Sequence, residues 1–299
     1  MKKILSIILT IFIFCCCAFS FSACKNNNID SNSVIDPRSE TIKVGIFEYA
    51  PLNYMYRNTF LGFNTELAIL TFESLGYNVK FVEIEPTGSN KTITADDVYT
   101  ALENGDIDCF WGGLSDGVLF DDARADFSYR YIENSLCLVK NSYSSPVVKE
   151  LSDLEGKKVA VGKFSTAELF FDTNLSTIAT KESCERGQTS ALHQLNVNKV
   201  NYAIVDSLLA FYYIENNDEY SMIKLNVSFN PSEIPYEFTQ KNYCRVVFPK
   251  AEGVPNTLRD NVNLMLETFA KTGVLQNLAE KNNYRFFKDN VITDFSSQK

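Results

Sequence analysis

The sequence is poor in the residues that most often carry catalysis. It holds one histidine and one tryptophan in 299 residues. Gly113-Leu114-Ser115-Asp116-Gly117 matches the G-x-S-x-G of a hydrolase nucleophile elbow, which would make Ser115 a nucleophile. That chemistry needs a histidine base, and His193 sits in Ser190–Leu195, a stretch that reads as helical. No H-G-G-G-type oxyanion segment accompanies it. A structural histidine is the plainer reading, and no enzyme is expected. Cys109, Cys137, Cys184 and Cys244 fit neither a zinc ribbon nor a C-x-x-C site. No metal or cofactor is expected. Basic residues are also short: 28 Lys and Arg against 37 Asp and Glu, for a net charge of -9. Phosphate contacts need clustered Lys and Arg, and no basic stripe is visible, so nucleic acid is excluded as a partner. There is no internal repeat, and the only low-complexity run is 25–40.

What is present begins with Lys2 and Lys3, followed by an apolar run from Ile4 to Ala23. These are the parts of an export signal. Ser22-Ala23-Cys24 resembles the lipobox of bacterial lipoproteins, with Phe21 in place of the usual Leu. On that reading residues 1–23 are a signal peptide, and Cys24 is the acylated first residue of the mature chain. An uncleaved transmembrane anchor is the alternative, because about 20 apolar residues span a bilayer. Either way the rest of the chain lies outside the cytoplasm. Lys25 to Glu40 is polar, rich in Asn and Ser, and reads as a tether with a reach of roughly 20 Å.

From Ile42 the pattern is that of an α/β protein. Strands are expected at Ile42–Phe47, Val79–Ile84 and Asp108–Trp111. Helices between them span about Asn64–Leu75, with Leu67, Leu70 and Phe72 facing the core, and from Ala95 to near Gly105. This β-α-β-α-β order builds a parallel sheet. A second unit follows. Its strands fall at Ser135–Lys140, Lys158–Val161 and Tyr202–Val205, and its helices at Ala167–Phe171, Thr189–Asn196 and Ser207–Tyr213. A strand at Tyr243–Phe248 and helices at Pro255–Ala270 and Val274–Lys281 complete the chain. Linking stretches lie near 129–135 and 238–244. Trp111 ends the central strand and reads as a core residue.

The motifs along this frame resemble those of the extracellular solute-binding proteins, family 3, of polar amino-acid ABC transporters. Val44-Gly45 with Tyr49, Pro51 and Tyr54 resembles the opening strand and its aromatic loop. Gly62-Phe63-Asn64 with Glu66-Leu67-Ala68 is similar to the family's G-F-D-x-[DE]-L-A. Ala101–Gly105 with Asp108, Asp126-Phe127-Ser128 with Tyr131, and Gly156–Val161 follow in order. Ala203 with Asp206, and Thr272-Gly273, close the series.

The resemblance implies a two-lobed periplasmic-binding-protein type II fold. Each lobe is a doubly wound sheet flanked by helices, and a two-stranded hinge joins them. Lobe 1 would comprise 41–132 plus 244–293, and lobe 2 would comprise 133–243. The implied function is capture of an amino acid or related amine-bearing solute by a monomer that delivers it to a membrane ABC permease. An exported dehydratase of the prephenate or arogenate type, on the same fold, and a ligand-binding subunit of a signalling system are the alternatives.

The family's carboxylate-binding loop maps onto Gly113, Leu114 and Ser115, its stacking aromatic onto Tyr49, and its ammonium-binding aspartate onto Asp206. Ser165 and Thr166 match its hydroxyl pair at a helix start, with Phe164 where Gly is usual. Glu48 is the acid nearest the family's first-lobe aspartate, one position out of register. The carboxylate-binding Arg is missing: Asp121 stands there, and Arg124 falls three residues later. The plainer readings are an N-cap at Ser165, an N-cap at Asp206 and a solvated acidic turn at Asp121-Asp122. Cys137 and Cys244 are expected on adjacent hinge strands, where a disulfide would fit.

Overall fold

The computed structural model describes residues 40–88, 92–113, 123–225, 242–251, 253, 255–281 and 287–298. Strand β1, Thr41–Ile46, is buried at Ile42 and from Val44 to Ile46, which suits a central parallel strand with both faces covered. A cis Ala50–Pro51 bond follows, and then a hairpin of β2, Tyr54–Tyr56, and β3, Thr59–Leu61. Arg57 and Asn58, both at positive φ, make its two-residue turn. Helix α1 spans Phe63–Ser74 and buries Phe63, Leu67, Ala68, Thr71 and Phe72. Leu70, expected in the core, is 36% exposed because it falls off that face.

Strand β4, Asn78–Glu83, pairs parallel to β1. Helix α2, Ala95–Glu103, starts with a capping box between Thr94 and Asp97. Strand β5, Cys109–Phe110, pairs parallel to β1 on its other side. Strand β6 is Ala125–Phe127 and β7 is Ile132–Glu133.

The second unit opens with β8, Leu136–Asn141, and β9, Lys158–Gly162. Helix α3 is Thr166–Asn174, β10 is Thr180–Cys184, and α4 is Gly187–Asn196. Strand β11, Tyr202–Asp206, is buried throughout and feeds α5, Ser207–Asn216. Strand β12 is Ile223–Leu225. The stretch expected as one strand at 243–248 is two: β13, Tyr243–Cys244, and β14, Val247–Pro249. Helices α6, Thr257–Lys271, α7, Val274–Lys281, and α8, Phe287–Asn290, follow, and a 3-10 turn at Ser296–Gln298 comes last among the described elements.

The first sheet runs β4-β1-β5-β14-β6 and the second β10-β9-β11-β8-β12. In each, three parallel strands are completed by an antiparallel strand, β14 in the first and β8 in the second. Both sheets lie within one compact unit, residues 37–299. Between them β7 pairs with β13, Glu133 opposite Tyr243 and Ile132 opposite Cys244. This is the two-stranded hinge. The observed topology is the two-lobed type II arrangement. Helices α6 and α7 belong with the first sheet: Leu266, Phe269 and Leu275 share a core with Phe63 and Leu67. That core continues past Ile132 and Cys244 to Val205, Leu208 and Leu209 on the second lobe. Trp111 is fully buried, edge-on to Phe72 and Tyr131.

The expected Cys137–Cys244 disulfide is absent. All four described cysteines are free. Cys244 does lie on a hinge strand, but its partner position is Ile132, whereas Cys137 has moved into the second sheet, opposite Val205. Burial raises the Cys137 thiol far above its ordinary range, which keeps it inert. A chain beginning at Lys25 should therefore titrate four thiols on unfolding, with or without prior reduction. Fewer before reduction than after would contradict the free-thiol arrangement.

Candidate functional site

The site forms where β1, β4, β5, β9 and β11 end, the place at which open α/β sheets take ligands. A cleft of about 250 Å³ lies there, lined by residues of both lobes. From the first lobe come Phe47, Glu48, Tyr49, Glu83, Glu85 and Gly113. The second lobe contributes Lys163, Ser165, Thr166, Arg186, Gln188 and Asp206.

Asp206 sits at the junction of β11 and α5, and is 4% exposed. Although it occupies the N-cap position of α5, its carboxylate makes no capping bond. Asn134 takes that duty: its Oδ1 accepts from the Leu208 N–H at 3.2 Å. The Asp206 side chain is thereby released to the cleft. Four side chains donate to it. Tyr49 Oη donates to Oδ2 from across the cleft. Gln188 Nε2 reaches Oδ2 at 2.9 Å, and Asn134 Nδ2 reaches it at 3.2 Å. Thr166 Oγ1 lies 3.5 Å from Oδ1, so Oδ1 is the less occupied oxygen. Gln188 is held in turn, since its Oε1 accepts the Asp206 N–H at 2.5 Å.

All four donors are neutral, and no cationic side chain pairs with Asp206 among the described residues. Burial therefore dominates and raises its carboxyl above the ordinary 3.8; the bonds from Tyr49, Gln188, Thr166 and Asn134 oppose that shift without cancelling it. Burial, followed by the Asp206 charge, likewise pushes the Tyr49 hydroxyl well above 10.0.

The other expected residues fall in three groups. Thr166 and Tyr49 meet Asp206 as described. Ser165 lines the cleft, yet its hydroxyl is spent locally: it accepts the Glu168 N–H at 3.3 Å and donates to the Gly162 carbonyl at 2.6 Å. It is the N-cap of α3. Phe164, where Gly is usual, adopts φ 59, the left-handed conformation that Gly takes freely. Gly113 has φ 89, and a Cβ there would lie 2.6 Å from Leu52 Cδ1. Glu48 is exposed on the first-lobe wall beside Glu83 and Glu85; burial first, then the charges of Glu85 and Glu48, raises the Glu83 carboxyl. Leu114, Ser115 and Asp121 lie outside the described residues.

Arg124 does not enter the cleft. Its guanidinium binds Asp96 at 2.7 Å and Glu103 at 2.9 Å, and lies over the Tyr99 ring at 4.1 Å. Two acids on one face of α2 hold it there. His193 is exposed on α4 and is not among the residues that line the cleft. Sequence reasoning missed Asn134, Gln188, Glu83, Glu85 and Arg186. The pair Glu83–Glu85 at the carboxyl end of β4 could have been found from its position alone.

The profile of the bacterial extracellular solute-binding proteins, family 3, matches residues 42–284. The chain belongs to that family. Among curated proteins, the arginine-binding extracellular protein ArtP of Bacillus subtilis is 24% identical over 283 residues, covering 91% of this chain and 96% of ArtP. The fold matches the arginine-, lysine-, histidine-binding protein ArtJ of Geobacillus stearothermophilus with a TM-score of 0.65 at 19% identity, over 87% of this chain and 100% of ArtJ. It also matches the ancestral amino acid-binding protein AncCDT-1, a precursor of cyclohexadienyl dehydratase, with a TM-score of 0.65 at 22% identity, over 81% and 94% of the two chains. Membership in a solute-binding family favours the binder over both enzyme readings. No helix among the described residues is long and apolar enough to cross a membrane.

The Asp206 carboxyl gives a pH test. A raised folded value means that stability is fully present below the unfolded value near 3.8 and is lost as pH rises through the folded value. Ligand-free Asp206→Asn should therefore be at least as stable as the parent at pH 7. The difference between the two should vanish below pH 3.8. Parallel stability–pH curves for the two proteins would refute the assignment.

Proposed function

We propose that this protein is the solute-binding component of an amino-acid ABC importer, capturing an amine-bearing polar solute by closure of its two lobes. One observation carries the reading. Asp206 is a buried carboxylate at a two-lobed cleft, hydrogen-bonded by neutral groups from both sides and without a cationic partner among the described residues. A ligand ammonium supplies the missing charge, at Oδ1 where only Thr166 stands. Tyr49 offers its ring and hydroxyl from the first lobe, and Glu48 a second acidic contact. Gly113 lines the cleft on the first lobe and Ser165 on the second; Leu114 and Ser115 keep the ligand-binding role that the sequence assigns them. Because the ligand touches both lobes, it favours the closed state, which a permease reads. The names of ArtP and ArtJ support a cationic amino acid as the solute class.

The remaining organisation completes the proposal. Residues 1–23 are the export signal, Cys24 carries the lipid, and 24–40 tether the binding unit to the outer face of the cell membrane. Lobe 1 is 41–132 plus 244–293, and lobe 2 is 133–243.

A thermal-shift panel of arginine, lysine, histidine, uncharged amino acids, and simple diamines tests this reading. A cognate ligand at a hundredfold excess over its Kd adds about 2.7 kcal/mol of stability and raises Tm. Asp206→Ala should abolish the shift. If no amine moves Tm, or if Asp206→Ala binds as the parent does, the reading fails.

A further inference from the structure

The cleft divides its charge between the lobes. On the first-lobe wall stand Glu48, Glu83 and Glu85, which have no hydrogen-bond or ion-pair partner among the described residues. On the second-lobe wall are two cations. Lys163 is bound to Glu185 at 2.8 Å. Arg186 has no such partner: it lines the cleft, is exposed, and binds no carboxylate, carbonyl or ring among the described residues. It is thus the one unengaged cation described in the cleft, in a protein whose first-lobe arginine candidate, Arg124, is locked to Asp96 and Glu103 outside it.

Its position is fixed by bonds already described. Arg186 precedes α4, and Gln188, two residues on, is bonded to Asp206 through both ends of its amide. Two residues of chain span about 7 Å at most, so the backbone of Arg186 lies within that distance of Gln188, whose side chain reaches Asp206, and both Arg186 and Asp206 line the same cleft. Close approach keeps it there: a Cβ on Gly162 would sit 2.6 Å from the Gln188 backbone nitrogen. Gly187 also reaches the opposite lobe, where its Cβ position lies 3.4 Å from Thr92 Oγ1. In the closed arrangement Arg186 therefore borders the space that a ligand fills.

An α-amino acid carries its ammonium and carboxylate on one carbon, so their receptors must be neighbours. Asp206 and Arg186 meet that condition on a single lobe. We propose that Arg186 is the carboxylate receptor of this cleft. The ligand is then an α-amino acid with a cationic side chain, whose ammonium meets Asp206 and whose side-chain cation faces Glu48, Glu83 and Glu85. This rests on the amine-capture reading above and sharpens it. Both ends of the amino-acid group are held from lobe 2, and lobe 1 reads the side chain.

The test is calorimetric titration of the full-length protein and of Arg186→Gln with L-arginine and with agmatine, which is arginine without its carboxylate. The parent binds L-arginine more tightly than agmatine. Arg186→Gln should lose about 10- to 100-fold in L-arginine affinity, the scale of one charge-assisted bond, while agmatine affinity is kept. Retained agmatine binding also reports that the variant is folded. If Arg186→Gln binds L-arginine unchanged, or weakens both ligands equally, the role of Arg186 is overturned and amine capture stands. If neither compound binds the parent while another amine of the thermal-shift panel does, the cationic α-amino-acid ligand is overturned and amine capture stands; if none binds, both readings fall.

Discussion

Asp206 receives Tyr49 from the first lobe, Asn134 from the edge of the hinge, and Gln188 and Thr166 from the second lobe. A buried charge is tolerated only when its lone pairs are satisfied, and here every contributor is neutral. The donors lower the cost of burial without removing it, so the carboxyl stays raised. Much of the surrounding structure follows from this constraint. Asn134 must cap α5 as well as donate, because Asp206 cannot do both. Gln188 must present both ends of its amide, which requires the start of α4 to lie against Gly162. Tyr49 must reach across the cleft, which brings the lobes together.

The same constraint links the hinge to the site. Asn134 immediately follows β7, and its backbone N–H bonds the Asn242 carbonyl at 2.8 Å beside β13. One residue thus joins the hinge through its backbone to the carboxylate and the first turn of α5 through its side chain. The C-terminal segment adds a third rail: Val291 bridges Ile132, and Asn290 Nδ2 binds the Glu133 carbonyl at 2.8 Å. Bending at β7 therefore works against contacts on two flanks as well as the bonds at Asp206.

Most of the frame was legible in the sequence. Apolar runs such as IKVGIF, and AIV ahead of Asp206, named the central strands, because buried parallel strands are apolar on both faces. Polar edge strands were not legible: β10, TKESC, has no alternation to detect and is held by its pairing with β9. The split of 243–248 escaped notice because both halves are apolar and only the tertiary course separates hinge from sheet. At the site, Tyr49, Thr166 and Asp206 were foreseen through family motifs and meet in space. Asn134, Gln188 and Arg186 were not, since each owes its place to a loop or helix start rather than to a pattern of its own. Arg124 depends on tertiary context in the same way. It falls three residues past the position of the family's Arg, and Asp96 and Glu103, a helix away in sequence, hold it at the surface.

The two sheets differ in how the chain supplies them. The second is built from one continuous run, β8 to β12, ending at Leu225. The first waits for β14, which joins β5 to β6, until residues 247–249 have been made. A chain emerging from its N-terminus therefore exposes an unfinished first sheet while the second can already close. β6 has no sheet neighbour until the return strand arrives. The lobe that begins first is completed last, and the period before its completion is when an exported chain most needs protection from aggregation.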